Sequence, residues 1–150
     1  MKTAAPTSDD LLKLENQVCF PLYACSKEVV RRYTPYLDGI GLTYTQYLVM
    51  MVLWEQDGIS VGELGERLYL DSGTLTPLLK KMEEKGFLER TRSVEDERRV
   101  IVALTQAGRE LKEKARDVPL AMGQCVNMDP QEAAELVRLL RKVIANVRES

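Results

Sequence analysis

No histidine occurs anywhere in the chain. Its absence removes Ser–His and Cys–His dyads, histidine metal ligands and histidine-based pH switching from the chemistry open to one subunit. Cysteine is scarce: Cys19, Cys25 and Cys125 form no CxxC and no zinc-like spacing, so no metal and no cofactor is expected. No apolar run approaches the ~20 residues that span a bilayer, and no membrane partner is expected. The N-terminus "MKTAAPTSDD" turns acidic where a signal peptide would be apolar. The expectation is a cytoplasmic protein whose thiols are reduced at rest. Large net charge is lacking too: at −2, bulk electrostatics do not announce nucleic acid, and a local patch would have to do so. There is no internal repeat and no low-complexity segment.

What is present reads as one globular domain. Its 150 residues are 45% hydrophobic and 29% charged, enough to bury a real core. Residues 9–32 read as a long helix, with Leu11, Leu14, Val18, Leu22 and Val29 at three-to-four spacing. "YTPYLDGIG" breaks it. "LTYTQYLVMMVLWEQ" (42–56) is apolar nearly all round, as a central buried helix is. A short helix over 58–70 directs Val61, Leu64 and Leu68 inward. "DSGTLTPLLKKMEEKG" (71–86) begins on a capping residue and ends on glycine, with Leu75, Leu78, Leu79 and Met82 inward. Two strands, 87–92 and 98–105, flank the charged loop "SVEDE". Helix returns over 105–117 and is interrupted near Pro119; 123–127 reads as a loop. Asp129–Pro130 caps a last helix, with acids early and bases late.

The order helix, short helix, turn, capped helix, charged hairpin is that of a winged helix-turn-helix. A recognition helix needs an apolar back and a small or hydrogen-bonding front. The front of 71–86 offers Ser72, Thr74, Thr76, Lys80 and Lys81. The hairpin adds Arg90, Arg92, Arg98 and Arg99; an arginine at a hairpin tip can enter a narrow minor groove, and Asp96 could hold Arg98 in place. Against this, residues 71–99 carry as many acids (71, 83, 84, 89, 95, 96, 97) as bases (80, 81, 85, 90, 92, 98, 99). A basic face exists only if folding sorts the signs; otherwise this is a solvated helix and a charged hairpin.

Cys19 and Cys25 cannot pair on an intact helix, because six residues rise ~9 Å and turn through about 240°, whereas a disulfide wants Cα atoms within ~7 Å. Pro21 removes the 21-to-17 backbone bond and is expected to kink the helix beside Cys19. Each cysteine has two readings, a small core residue or a reactive thiol. A reactive one needs its thiolate stabilised. With no histidine, tyrosine hydroxyls are the available donors, and Tyr23, Tyr33, Tyr36, Tyr44 and Tyr47 crowd the same region. The methionines and Trp54 read as core.

"LDSGTLTPLLKKMEEKGFLERTRSVEDERRVIVALT" resembles the winged-helix core of the MarR (multiple-antibiotic-resistance regulator) family. "LENQVCFPLYACS" with "LTYTQYLVMMVLWE" resembles its peroxide-sensing branch, the organic hydroperoxide resistance regulators, over nearly the whole chain. The resemblance implies a mainly α fold with a small β-hairpin wing, and a homodimeric repressor of double-stranded operator DNA, not an enzyme. It implies one domain over 1–150, with dimerisation helices at about 9–40 and 105–150 and the winged helix-turn-helix at about 42–104. Cys19 matches the family's peroxidatic cysteine, and Tyr33 and Tyr44 the tyrosines that hydrogen-bond its thiolate. Asp96 and Arg98 match the wing-tip pair. Cys125 falls where two-cysteine members carry a resolving cysteine of the other subunit. Organic hydroperoxide would then be the inducer. The alternatives are a repressor answering a non-redox phenolic ligand, a thiol peroxidase, and a helical adapter without a DNA role.

Overall fold

A computed structural model describes residues 7–150. The fold is mostly helical with a small three-stranded antiparallel sheet. Two compact units are distinguished, one up to Ala115 and one from Arg116 to Ser150.

The first unit opens with α1 (Ser8–Leu11), capped reciprocally by Thr7 and Asp10. The long helix expected from residue 9 does not form. A single 3-10 turn (Leu14–Asn16) follows, and α2 runs Cys19–Asp38. The side-chain amides of "NQ" explain the break. Asn16 Nδ2 donates to the Asp10 carbonyl at 2.7 Å, and Gln17 Nε2 donates to the Leu11 and Lys13 carbonyls. They replace the backbone bonds that a continuous helix would have made. Pro21 therefore falls in the first turn of α2, where an amide N–H has no helical partner in any case, and the 21-to-17 bond was never available to lose. Leu11, Leu14 and Val18, whose spacing suggested the longer helix, are exposed. At the other end the helix continues through Pro35 to Asp38 rather than breaking there.

Thr43 and Gln46 form a capping box that starts α3 (Tyr44–Glu55), the buried centre of the unit. Val49, Met50 and Leu53 are at most 1% exposed, which fits a helix apolar on every side. Ile59–Ser60 pairs as a two-residue strand, β1, and Ser60 caps α4 (Val61–Leu68). Tyr69 ends α4 in the left-handed region, at φ 57°. The turn there is tight: a Cβ on Gly65 would lie 2.6 Å from the Leu70 carbonyl oxygen, so only glycine lets the chain double back so closely. Asp71 then caps α5 (Ser72–Glu84), whose Leu75, Leu79 and Met82 are fully buried.

β2 (Leu88–Arg92) and β3 (Val100–Leu104) form the wing, paired from Leu88↔Leu104 to Arg92↔Val100, with β1 on the outer side of β3. α6 (Gln106–Lys114) closes the unit and is capped by Thr105. Trp54 on α3 ties it down, its Nε1–H donating to the Gly108 carbonyl at 2.9 Å.

The second unit holds α7 (Asp117–Val126) and α8 (Pro130–Glu149). The interruption expected near Pro119 falls at 115–116, and residues 123–126 are helical, not loop, because α7 runs on through Gly123 to Val126. Asn127 at φ 48° terminates α7, and Asp129 caps α8 with Pro130 in its first turn. α8 exposes Leu136, Val137, Leu139, Val143, Ile144 and Val147, and buries none of its residues. An apolar stripe of that length is what a helix presents when a partner covers it. No helix among the described residues is long and apolar enough to cross a membrane.

Candidate nucleic-acid interface and thiol site

The candidate reading head is built on α5. Its apolar back is sealed into the core, so Ser72, Thr74, Thr76, Lys80 and Lys81 are left on the exposed side. Asp71 Oδ1 accepts the Thr74 amide at 2.7 Å, which fixes the start of the helix. Between α5 and the wing lies a cleft of about 400 Å³, lined among others by Ser60, Ser72, Thr76, Arg90, Arg98 and Arg99. It brings together hydroxyls and guanidinium groups, a fitting arrangement for a phosphodiester strand. Thr74, Lys80, Lys81 and Asp96 do not line it.

Folding pairs several of these charges. Glu83 takes up Arg90: its carboxylate accepts the Arg90 amide at 2.9 Å and the Arg90 guanidinium at 2.9 Å. These bonds, the amide's first, hold the Glu83 carboxyl below the usual carboxylate range. Glu63 accepts from the Ser60 amide and hydroxyl and, at 3.4 Å, from Arg99, so the wing is tied to α4. Arg92 donates to the Glu97 carbonyl. Arg98 is different. Asp96 Oδ1 accepts its amide at 3.1 Å and its Nε at 3.3 Å, yet its side chain remains 92% exposed. It is oriented at the wing tip without being withdrawn from solvent.

The thiols are all exposed on the single chain, which removes the reading of them as core residues. Cys19 is the first residue of α2, Cys25 lies two turns on, and Cys125 is in the last turn of α7. Cys19 stands at the N-terminal end of a 20-residue helix. No group of metal-ligating side chains occurs among the described residues.

The tyrosines assemble elsewhere. Tyr33 on α2 lies against Tyr44 on α3, ring centroids 4.7 Å apart, and 5.9 Å from Tyr47, which packs edge-on to Trp54 at 6.4 Å. Burial, above all, pushes the hydroxyls of Tyr33, Tyr44 and Tyr47 upward from the ordinary phenol value. They stay protonated at neutral pH and can donate. Tyr23 is exposed, with the Lys27 ammonium 5.1 Å from its ring centroid. Cys19 and Tyr33 are fourteen residues apart on one helix, about 21 Å of rise. Within one chain the thiol and the tyrosine pair do not meet.

An organic hydroperoxide resistance transcriptional regulator of Bacillus subtilis is 50% identical to this chain, over 87% of it and 86% of the relative. The chain belongs to the MarR family of transcriptional regulators. Within that family it is of the organic hydroperoxide resistance type, a regulator and not an enzyme. A model described as the transcriptional regulator SarA/Rot also matches, over residues 31–115. Among solved structures, reduced AbfR bound to DNA superposes with a TM-score of 0.81 at 30% identity, covering 95% of this chain and 98% of that one. AbfR is a protein of Staphylococcus epidermidis. Its disulfide form superposes at 0.61 with 34% identity, over 91% and 96%. The winged helix of MarR-family regulators is thus the fold here.

Sequence reasoning counted Lys85 and Glu83 only as charges. The structure gives each a partner, Lys85 across 39 residues to Gln46 and Glu83 across seven to Arg90. The available signal for Lys85 was a lysine in the last turn before a glycine, which suits a helix C-terminus but names no acceptor.

Proposed function

We propose that this regulator is a homodimeric repressor that releases its operator when Cys19 is oxidised by an organic hydroperoxide. The observation that carries the reading is the separation of Cys19 from Tyr33 and Tyr44. If those hydroxyls stabilise the Cys19 thiolate, they must come from a second copy, so the sensing site is shared: Cys19 of one protomer, Tyr33 and Tyr44 of the partner subunit. The exposed apolar stripe of α8, with Leu11, Leu14, Val18 and Phe20 beside Cys19, supports a dimer base formed from about 9–40 and 105–150. The whole chain, 1–150, then works as one MarR-type domain with its reading head at about 42–104.

Reduced dimer sets two α5 helices into successive major grooves, about one helical turn apart. Ser72, Thr74, Thr76, Lys80 and Lys81 face bases and phosphates, Arg98 steadied by Asp96 enters the minor groove, and Arg90 shapes the cleft through Glu83. The Cys19 thiolate attacks the terminal oxygen of the hydroperoxide. An S–O bond forms, the O–O bond breaks, and the alkoxide leaves as an alcohol after taking a proton from solvent. The resulting sulfenic acid is attacked by the Cys125 thiolate of the partner subunit; the S–S bond forms and hydroxide leaves as water. Two thiols give up two electrons, and the peroxide becomes alcohol and water. Disulfide formation takes sulfur away from the tyrosine donors, at about 1.5–3 kcal/mol for each bond to a charged group, and resets the spacing of the two heads. That AbfR has been captured reduced on DNA, overoxidised on DNA and as a disulfide is the parallel that favours this chemistry.

The test is a non-reducing gel with peptide mapping, before and after one equivalent of cumene hydroperoxide, paired with an operator-binding titration. A Cys19–Cys125 crosslink between subunits and loss of operator binding are expected. Cys19→Ser should bind operator and ignore peroxide, and Cys125→Ser should stop at the sulfenic acid. Thiols unchanged at all three positions would remove the redox reading and leave a repressor that answers a non-redox phenolic ligand.

A further inference from the structure

Lys85 is the last residue of the recognition helix region, immediately after α5. Its ammonium leaves that helix altogether. Nζ donates to the Gly41 carbonyl at 2.7 Å and to Gln46 Oε1 at 3.0 Å. Gly41 belongs to the turn that ends α2, and Gln46 to the first turn of α3. One cation therefore joins the C-terminal ends of α2 and α5, both of which favour positive charge, to the N-terminal box of α3.

The acceptor is not an incidental surface amide. Gln46 is 3% exposed, and the same oxygen accepts the Thr43 amide at 3.1 Å, completing the box that starts α3. Tyr44 sits inside that box, between Thr43 and Gln46, and its ring is 4.7 Å from Tyr33. A backbone shift at the Tyr33–Tyr44 pair reaches the α2–α3 junction through the cap that holds Tyr44, and that junction is bonded to the end of the DNA-reading helix. The geometry points to Lys85 as a positioning residue that couples the tyrosine pair to α5. The inference rests on the redox reading above for its signal, and on the hydrogen bonds alone for its mechanics.

Lys85→Met keeps the aliphatic stem and removes the donors; Lys85→Arg retains a cation with several donors. Operator Kd is measured for each variant before and after one equivalent of cumene hydroperoxide, with Cys19 oxidation followed by mass spectrometry. Lys85→Met should oxidise at the wild-type rate, yet its oxidised-to-reduced Kd ratio should fall at least fivefold. Lys85→Arg should restore most of that ratio. A Lys85→Met protein that weakens both states by one common factor, or keeps the wild-type ratio, overturns the proposal: the lysine is then structural only. Wild-type protein that oxidises without releasing DNA instead removes the redox reading. The coupling is then judged by hydrogen exchange on reduced protein with no peroxide present. Lys85→Met should speed exchange at 39–47 and 82–87 together, and a change confined to one of the two segments overturns it.

Discussion

Gly108→Ala puts one methyl group where the structure has no room for it. The Cβ would lie 2.0 Å from the Phe87 carbonyl oxygen and 3.1 Å from Leu104 Cδ2. A flexible side chain could swing aside, but a backbone carbonyl cannot, and this one accepts the Thr105 amide at 3.1 Å. Relief requires α6 to move off the base of the wing by more than an ångström. That movement strains the Trp54 Nε1–H bond to the Gly108 carbonyl on the other side. Overpacking of this kind costs about 1–3 kcal/mol, with a rigid obstacle at the upper end. The helix preference for alanine over glycine returns at most about 1 kcal/mol. The net is a loss of about 2 kcal/mol, or about 4–8 °C in Tm for a chain of this size. The assay is thermal unfolding at fixed protein concentration, followed by fluorescence of Trp54, the single tryptophan in the chain. Gly123→Ala is the internal comparison: nothing lies within 4 Å of its Cβ, and α7 should gain about 0.4–1 kcal/mol. A Gly108→Ala protein that melts at or above the wild-type temperature would refute the close-approach argument.

Two further outcomes follow from the reading head. Arg98→Ala should weaken operator binding by about 1–3 kcal/mol in a titration at fixed salt, as loss of a specific contact does; unchanged affinity takes the wing tip out of the interface. Glu83 has its carboxyl held below its ordinary value, so its stabilising contribution is complete above the unfolded-state pKa of about 4.3 and is lost as pH falls through the lower folded value. Glu83→Gln should therefore flatten the acid-side decline of Tm below about pH 4.3, and an acid limb identical to wild type would show that the Arg90 pairing contributes nothing.

Helices α3 and α5 and the hairpin were legible because each is written locally. α3 is apolar nearly throughout and preceded by Thr43, α5 has Asp71 before it and Gly86 after it, and the hairpin is two short runs around a charged turn. The segment before Cys19 was not legible. Its break depends on Asn16 and Gln17 reaching back six residues to the Asp10 and Leu11 carbonyls, a competition that apolar spacing does not register. β1 is two residues long and exists only by pairing with β3. Cys19, Tyr33 and Tyr44 were singled out only by the family resemblance, among three cysteines and five neighbouring tyrosines, and their separation follows only once α2 is known to be unbroken from Cys19 to Asp38. The Lys85 bonds join residues far apart in the chain, and no local pattern announces them.

Pro21 gives the thiol a fixed address. A helix without it could lengthen toward the N-terminus, one residue at a time, and carry Cys19 into the interior of the rod. Extending α2 by a turn would place Pro21 mid-helix, at about 3 kcal/mol. Unwinding past Cys19 meets no such barrier, because the first turn has few backbone bonds to lose. The boundary between coil and helix is thus a stop in one direction and open in the other. Whatever draws on the sulfur can pull it out of the helix end, while Pro21 resists carrying it further into the rod.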